Sequence, residues 1–207
     1  MKLQLALDRL TRGESIRILE SVKQHIDIIE IGTGVIKEYG VSIIKEIKEL
    51  YPGKKILADM KICDAGKYEA KQAFTAGADI VTVMGFAANS TIKETLQVAK
   101  EMNGQIMIDL LEIQSADRVK ELSSTGADLV GLHVGKDKQS EGVFHTDLFS
   151  LIEGIPVQVA VAGGINSKTL PDIKQHKPDI VIIGSAITGQ ENPELAANTI
   201  RNIMEDR

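Results

Sequence analysis

The densest run of reactive side chains is Ala58-Asp59-Met60-Lys61-Ile62-Cys63-Asp64-Ala65-Gly66. Alternate residues of an extended chain share a face, so Asp59 and Lys61 point one way and Met60 the other. Asp64 falls at the turn beyond. Carboxylates flanking a lysine favour its charged form, whereas a Schiff-base lysine needs the reverse, which argues against covalent amine catalysis. Glu30, late in an earlier apolar run, could place a second carboxylate beside Asp59. Such a pair suits Mg2+, with water and substrate oxygens completing the octahedron. A single cysteine and scattered histidines disfavour zinc. Plainer readings stand beside these: a rim ion pair for Asp59 and Lys61, a satisfied rim charge for Glu30, and a helix N-cap for Asp64.

Charged residues end other apolar runs too: Asp8 the first, Asp109 and Glu112 the fifth, His133 the sixth. Each would cost several kcal/mol if buried alone, but gathered in one concave mouth they can satisfy each other or hold a metal. His133 has an ordinary pKa near neutrality and suits proton transfer; its apolar flanks also allow a core histidine. His25, His145 and His176 fall in helix or loop positions and read as surface residues. Two glycine-bearing loops, Ala162-Gly163-Gly164-Ile165 and Ile183-Gly184-Ser185-Ala186, follow the last two runs. Without a Cβ, backbone N–H groups can approach phosphate oxygens closely, although Gly163-Gly164 could equally be a plain turn. Cys63 has no evident histidine partner and reads as packing.

Elements to position these groups recur along the whole chain. Strand-like runs begin near Leu3, Asp27, Lys55, Asp79, Gln105, Asp128, Pro156 and Asp179. Between them lie helical segments at roughly 14–25, 35–50, 66–76, 89–103, 115–125, 146–153, 167–176 and 192–206. The runs are near-continuous and β-branched, as strands buried on both faces should be. Gly77 and Gly126 sit where a helix end needs a left-handed residue. No Pro/Gly/Ser linker divides the chain. The longest loop, Gly135 to Thr146 with Gly142 inside it, is a candidate lid. Eight strand-helix units without a boundary predict one α/β domain over residues 1–207, a single (β/α)8 barrel, with a doubly wound sheet as the runner-up. In such a barrel the strand C-termini carry the chemistry, and the loops after strands seven and eight often bind phosphate.

Composition narrows the class. The 207 residues carry 24 Lys+Arg against 29 Asp+Glu, a net charge of −5 that speaks against nucleic acid as a partner. At 43% hydrophobic and 3% aromatic, with no Trp, the core must be built from Ile, Val, Leu and Ala. No apolar run reaches the roughly 18 residues of a membrane span. A lone cysteine suits a reducing compartment, and the expectation is a cytoplasmic protein.

The Asp59-x-Lys61-x-x-Asp64 motif, Asp8, Glu30, His133-Val134-Gly135-x-Asp137-x-Gln139 and the Gly163-Gly164 and Gly184-Ser185 loops together resemble the orotidine 5′-monophosphate decarboxylase superfamily over essentially the whole chain. Its metal-free pyrimidine decarboxylases carry a lysine where this chain has Glu30, which argues against that activity. Its 3-keto-L-gulonate 6-phosphate decarboxylases typically have Glu, Arg, Thr and Arg where this chain has Asp109, Lys136, Ala162 and Ser185. The remaining likeness is to the Mg2+-dependent branch that condenses formaldehyde with D-ribulose 5-phosphate.

That resemblance implies a lyase with Mg2+, or Mn2+ in its place, held by Glu30 and Asp59. It also implies roles for the other residues. His133 moves the C1 proton, Lys61 neutralises oxyanion charge and Asp8 orients a substrate hydroxyl. Asp109 and Lys136 contact substrate, and Gly163, Gly164, Gly184 and Ser185 hold the phosphate. A homodimer is implied in which Asp64 serves the neighbouring site. The keto-gulonate decarboxylase is the alternative reading, and a non-catalytic sugar-phosphate sensor is a third.

Overall fold

A computed structural model describes residues 1–141 and 144–205, without the side chains of 139–141. Eight parallel strands close into a barrel in chain order, β1 pairing with both β2 and β8. They are β1 Lys2–Leu7, β2 Ile28–Ile31, β3 Lys55–Ile62, β4 Ile80–Met84, β5 Gln105–Asp109, β6 Leu129–His133, β7 Gln158–Ala162 and β8 Ile180–Ile183. Around them run α1 Arg12–Val22, α2 Thr33–Tyr39, α3 Ser42–Leu50, α4 Gly66–Thr75, α5 Asn89–Glu101, α6 Ala116–Ser124, α7 Leu170–Gln175, α8 Ser185–Thr188 and α9 Pro193–Glu205. Closure excludes the doubly wound sheet.

The predicted helix over 35–50 is two helices. Gly40, at φ 69°, breaks it in a conformation that glycine adopts at little cost. Gly77 and Gly126, at φ 104° and 100°, do end their helices as expected. The segment predicted as a helix at 146–153 is a 3-10 turn, Thr146–Ile152, and strand seven starts at Gln158, two residues after the predicted Pro156. Proline has no N–H to give the ladder. In the candidate lid, Lys136–Glu141 winds into a 3-10 turn, and Lys138 Nζ donates to Glu112 Oε2 at 2.9 Å. Gly142 lies outside the described residues, as does the Gln139 side chain.

Strand register decides what faces inward. Ala6 pairs with Glu30, Glu30 with Leu57, and Leu57 with Ile80. The barrel interior is filled by Ala6, Ile28, Leu57, Ile80, Met107, Leu129, Ala160, Ile180 and Ile182. A far larger aliphatic layer lies between strands and helices. Farther toward the C-termini of the same inward columns stand Asp59, Thr82, Asp109 and His133.

The opposite end is tied by aspartates at the strand starts. Asp27 accepts the backbone N–H of Leu3 at 2.8 Å, Asp79 that of Ile56 at 2.7 Å, and Asp179 that of Val159 at 2.7 Å. Asp128 accepts instead from the Gln105 side chain at 3.2 Å. Arg201 of α9 reaches Asp27 at 2.8 Å and fixes the last helix to this base.

Candidate active site

The C-terminal mouth of the barrel holds a cavity of about 930 Å3, within the range of small-molecule sites. Asp8, Glu30, Asp59, Lys61, Asp109, His133, Lys136, Gly163, Gly164, Gly184 and Ser185 all line it. Of the residues that the resemblance assigns to the site, Asp64 does not line it. It is exposed, on the segment between β3 and α4. It does not cap α4 either: Ala65 occupies the N-cap at φ 50°, and no side chain bonds there. Cys63, read from sequence as packing, is exposed, with its thiol 3.4 Å from the Lys61 carbonyl.

One chain of contacts crosses the mouth. Lys61 Nζ lies 3.2 Å from Asp59 Oδ2 and 2.8 Å from Asp109 Oδ2. Burial disfavours the lysine's charge, but the attraction of Asp59 and Asp109 outweighs it and holds the ammonium above its ordinary pKa. Asp109, 4% exposed, is the hub. Its carboxylate meets His133 Nδ1 at 3.0 and 3.1 Å and accepts the Leu111 N–H at 2.9 Å. Burial opposes its ionisation, yet the His133 hydrogen bond and charge, with Lys61, bring its pKa down to about 2. A carboxylate only accepts, so Nδ1 carries the proton and Nε2 is left as the basic nitrogen of the neutral ring. With every oxygen engaged by protein donors, Asp109 buttresses Lys61 and His133, a role its sequence position alone did not disclose.

Glu30, 7% exposed, and Asp59, 6% exposed, stand on neighbouring strands. Gln4 Nε2 donates to Glu30 Oε2 at 2.6 Å from below. Burial first, then the Asp59 and Asp8 carboxylates, push Glu30 well above the usual carboxylate range. Asp8, in the concave mouth just past β1, is raised as well, by lost hydration and by Asp59. Asp59 accepts from Thr82 Oγ1 at 2.9 Å and Thr33 Oγ1 at 2.8 Å. Glu30, Asp59 and Asp8 gather three carboxylates at this side of one cavity. Hard oxygen donors of this kind suit a hard divalent cation. Among the described residues no three His, Cys, Asp or Glu side chains form a ready cage, so Glu30 and Asp59 would be a partial shell that water or substrate completes.

The glycine loops close the far side. Gly163 sits at φ 114° and Gly164 at φ 65°, and a Cβ on Gly163 would collide with the Val134 carbonyl and come within 2.8 Å of the Val134 Cβ. Asn166 caps the turn beyond, accepting the Lys168 and Thr169 N–H groups at 2.9 and 3.3 Å. Sequence reasoning missed Gln4, Thr33 and Thr82. For Gln4 and Thr82 the one signal was a polar residue at an inward position of an apolar strand, and threonine in a strand reads first as a β-former; Thr33 opens α2, where nothing in the pattern sets it apart.

Residues 1–200 match the model of the family described as Orotidine 5′-phosphate decarboxylase / HUMPS family. The chain belongs to that family. Among its relatives in this decarboxylase / HUMPS family, the 3-hexulose-6-phosphate synthase of Bacillus subtilis (strain 168) is 40% identical over 207 residues, 99% of each chain. The crystal structure of 3-hexulose-6-phosphate synthase from Salmonella typhimurium superposes with a TM-score of 0.96 at 41% identity, covering 99% of this chain and 98% of that one. The crystal structure of KGPDC from Streptococcus mutans superposes with a TM-score of 0.88 at 29% identity, over 99% and 97%. Among the described residues no helix is long and apolar enough to cross a membrane.

Proposed function

We propose that this protein is an aldehyde-lyase that condenses formaldehyde with D-ribulose 5-phosphate to D-arabino-hex-3-ulose 6-phosphate. The observation that carries the reading is the Lys61–Asp109–His133 chain facing the Glu30 and Asp59 carboxylates across one cavity. Full-length similarity to proteins named 3-hexulose-6-phosphate synthase supports it.

In this reading the Gly163-Gly164 and Gly184-Ser185 loops take the phosphate and leave the ketose end toward β1–β3. Anchoring the remote phosphate fixes the reacting carbon without touching it. His133 Nε2 takes a proton from C1, leaving a 1,2-enediolate, and Asp109 steadies the imidazolium that forms. Lys61 places its ammonium beside the developing oxyanion, and Asp8 orients a hydroxyl. C1 then attacks the formaldehyde carbon, the carbonyl π bond breaks, and the former formaldehyde oxygen takes the proton held by His133, which returns to its neutral form so that no atom is left over. Mg2+, or Mn2+, held by Glu30 and Asp59 would supply Lewis-acid stabilisation of the enediolate oxygens. Lys136 stands at the same cavity, suited to contact substrate.

A homodimer in which Asp64 serves the neighbouring cavity belongs to the same reading; its exposure and its position outside its own cavity support that. A lone exposed cysteine fits work in a reducing cytoplasm.

The test is loss of formaldehyde on incubation with ribulose 5-phosphate, with and without EDTA. EDTA-sensitive consumption is expected. Absence of consumption refutes the proposal, and faster release of carbon dioxide from 3-keto-L-gulonate 6-phosphate would transfer the site to the decarboxylase reading. Binding of sugar phosphate with neither reaction would leave a sensor.

A further inference from the structure

Between β3 and β4 the barrel departs from regular pairing. Ala58 pairs with Val81, but Ile62 pairs with Val83, so β3 carries two extra residues over this stretch. Lys61 lies in the bulge at φ 49°, a left-handed backbone that persists in a non-glycine residue only where its surroundings enforce it. A bulge leaves backbone groups without ladder partners. The Lys61 N–H is one, and it donates to Thr82 Oγ1 at 2.9 Å instead of to a strand carbonyl. The same hydroxyl donates to Asp59 Oδ1 at 2.9 Å.

A hydroxyl has one proton and two lone pairs. Here the carboxylate claims the proton and the amide claims a lone pair, so each bond fixes the direction of the other. Thr82 is 0% exposed, one inward step above Ile80 in the barrel packing, where valine would fill the same volume. With Thr33 and Lys61 on its other oxygen, the Asp59 carboxylate is held on both sides.

We infer that Thr82 is a positioning residue: through one buried hydroxyl it sets the Asp59 carboxylate and the Lys61 backbone against each other without touching substrate. The kinetic part of the inference rests on the reaction proposed above; the geometric part does not.

The experiment compares Thr82→Val, which keeps the shape and removes the hydroxyl, with Thr82→Ser, which keeps the hydroxyl. Three readouts are taken: Mn2+ binding to the substrate-free protein by electron paramagnetic resonance, kcat and KM with ribulose 5-phosphate and formaldehyde, and crystal structures. Partners that orient a ligating side chain typically carry about 10–100-fold in metal affinity or activity. Thr82→Val should weaken Mn2+ binding and lower kcat by that order. Its KM for the sugar phosphate should move less than about threefold, because the phosphate loops on β7 and β8 are untouched. Thr82→Ser should recover Mn2+ affinity and kcat.

Wild-type Mn2+ affinity and kcat in Thr82→Val would overturn the inference, and so would a serine variant as damaged as the valine one. If the valine variant fails to fold, Thr82→Ser decides alone: activity kept in a crystal structure where either bond to position 82 is broken also overturns it. Wild-type protein that binds Mn2+ but consumes no formaldehyde refutes the proposed reaction, while the Mn2+ and structural comparisons still decide the role of Thr82.

Discussion

Replacing Asp109 with asparagine keeps the shape of the buried hub and removes its charge. In the folded protein its pKa is about 2, against an ordinary 3.8. At 1.36 kcal/mol per pKa unit that depression is worth about 2 kcal/mol of stability. The folded-state value is the lower one, so this stability is fully present above pH 3.8 and drains away as pH falls toward 2. Urea unfolding of both proteins at pH 7 should therefore show Asp109→Asn less stable by about 2 kcal/mol, with the gap shrinking to roughly half by pH 3. Activity should fall by about 100-fold or more, the usual scale of lost acid–base catalysis. His133 loses the anion that stabilises its charged form, and Lys61 keeps only Asp59. A stability gap that is the same at pH 7 and pH 3, or activity above a tenth of wild type, would refute the hub.

Glu30→Gln removes a carboxylate whose pKa is raised by burial and by its acidic neighbours. That raised value makes the ionised group a cost that is absent below the ordinary pKa and grows as pH rises, so the metal-free variant should melt higher at pH 7 while losing activity. Retained activity with unchanged metal affinity would remove Glu30 as a ligand. Gly163→Ala places a side chain at φ 114° against Val134; a loss of about 1–3 kcal/mol in thermal unfolding and a raised KM for sugar phosphate are expected. Gln4→Met keeps the packing but removes the donor to Glu30. Lowered kcat with an unshifted circular dichroism spectrum should follow, and unchanged kcat would make Gln4 packing alone.

The barrel was legible because each buried strand is a continuous β-branched run, and nearly every reactive side chain at the mouth interrupts such a run at its end. Less visible were features decided by pairing across strands. Alternation puts Asp59 and Lys61 on one side, and they do meet, but by way of a two-residue bulge that no periodicity announces. Asp109 does line the cavity, but that His133, Lys61 and the Leu111 amide share its oxygens depends on how β6, β3 and the turn after β5 come together and could not be read from the chain. Thr82 and Gln4 were hidden for a simpler reason: neutral polar residues inside an apolar strand leave the hydrophobic pattern almost unchanged. Asp64 as a helix cap failed because Ala65, in a left-handed conformation, occupies the N-cap of α4 instead.

The aspartates at the base sit at the starts of β2, β4, β6 and β8, each tied to the strand before it. The floor of the barrel is thus punctuated in quarters, each spanning two strands, a rhythm the chemistry at the opposite end ignores. New chain ends opened between quarters, as in the turn before β3, leave every tie inside one continuous stretch. Ends opened before β2 make the Asp27 tie a contact between the two extremes of the chain. Circular permutants of the first kind should refold faster than those of the second, with the mouth equally intact in both.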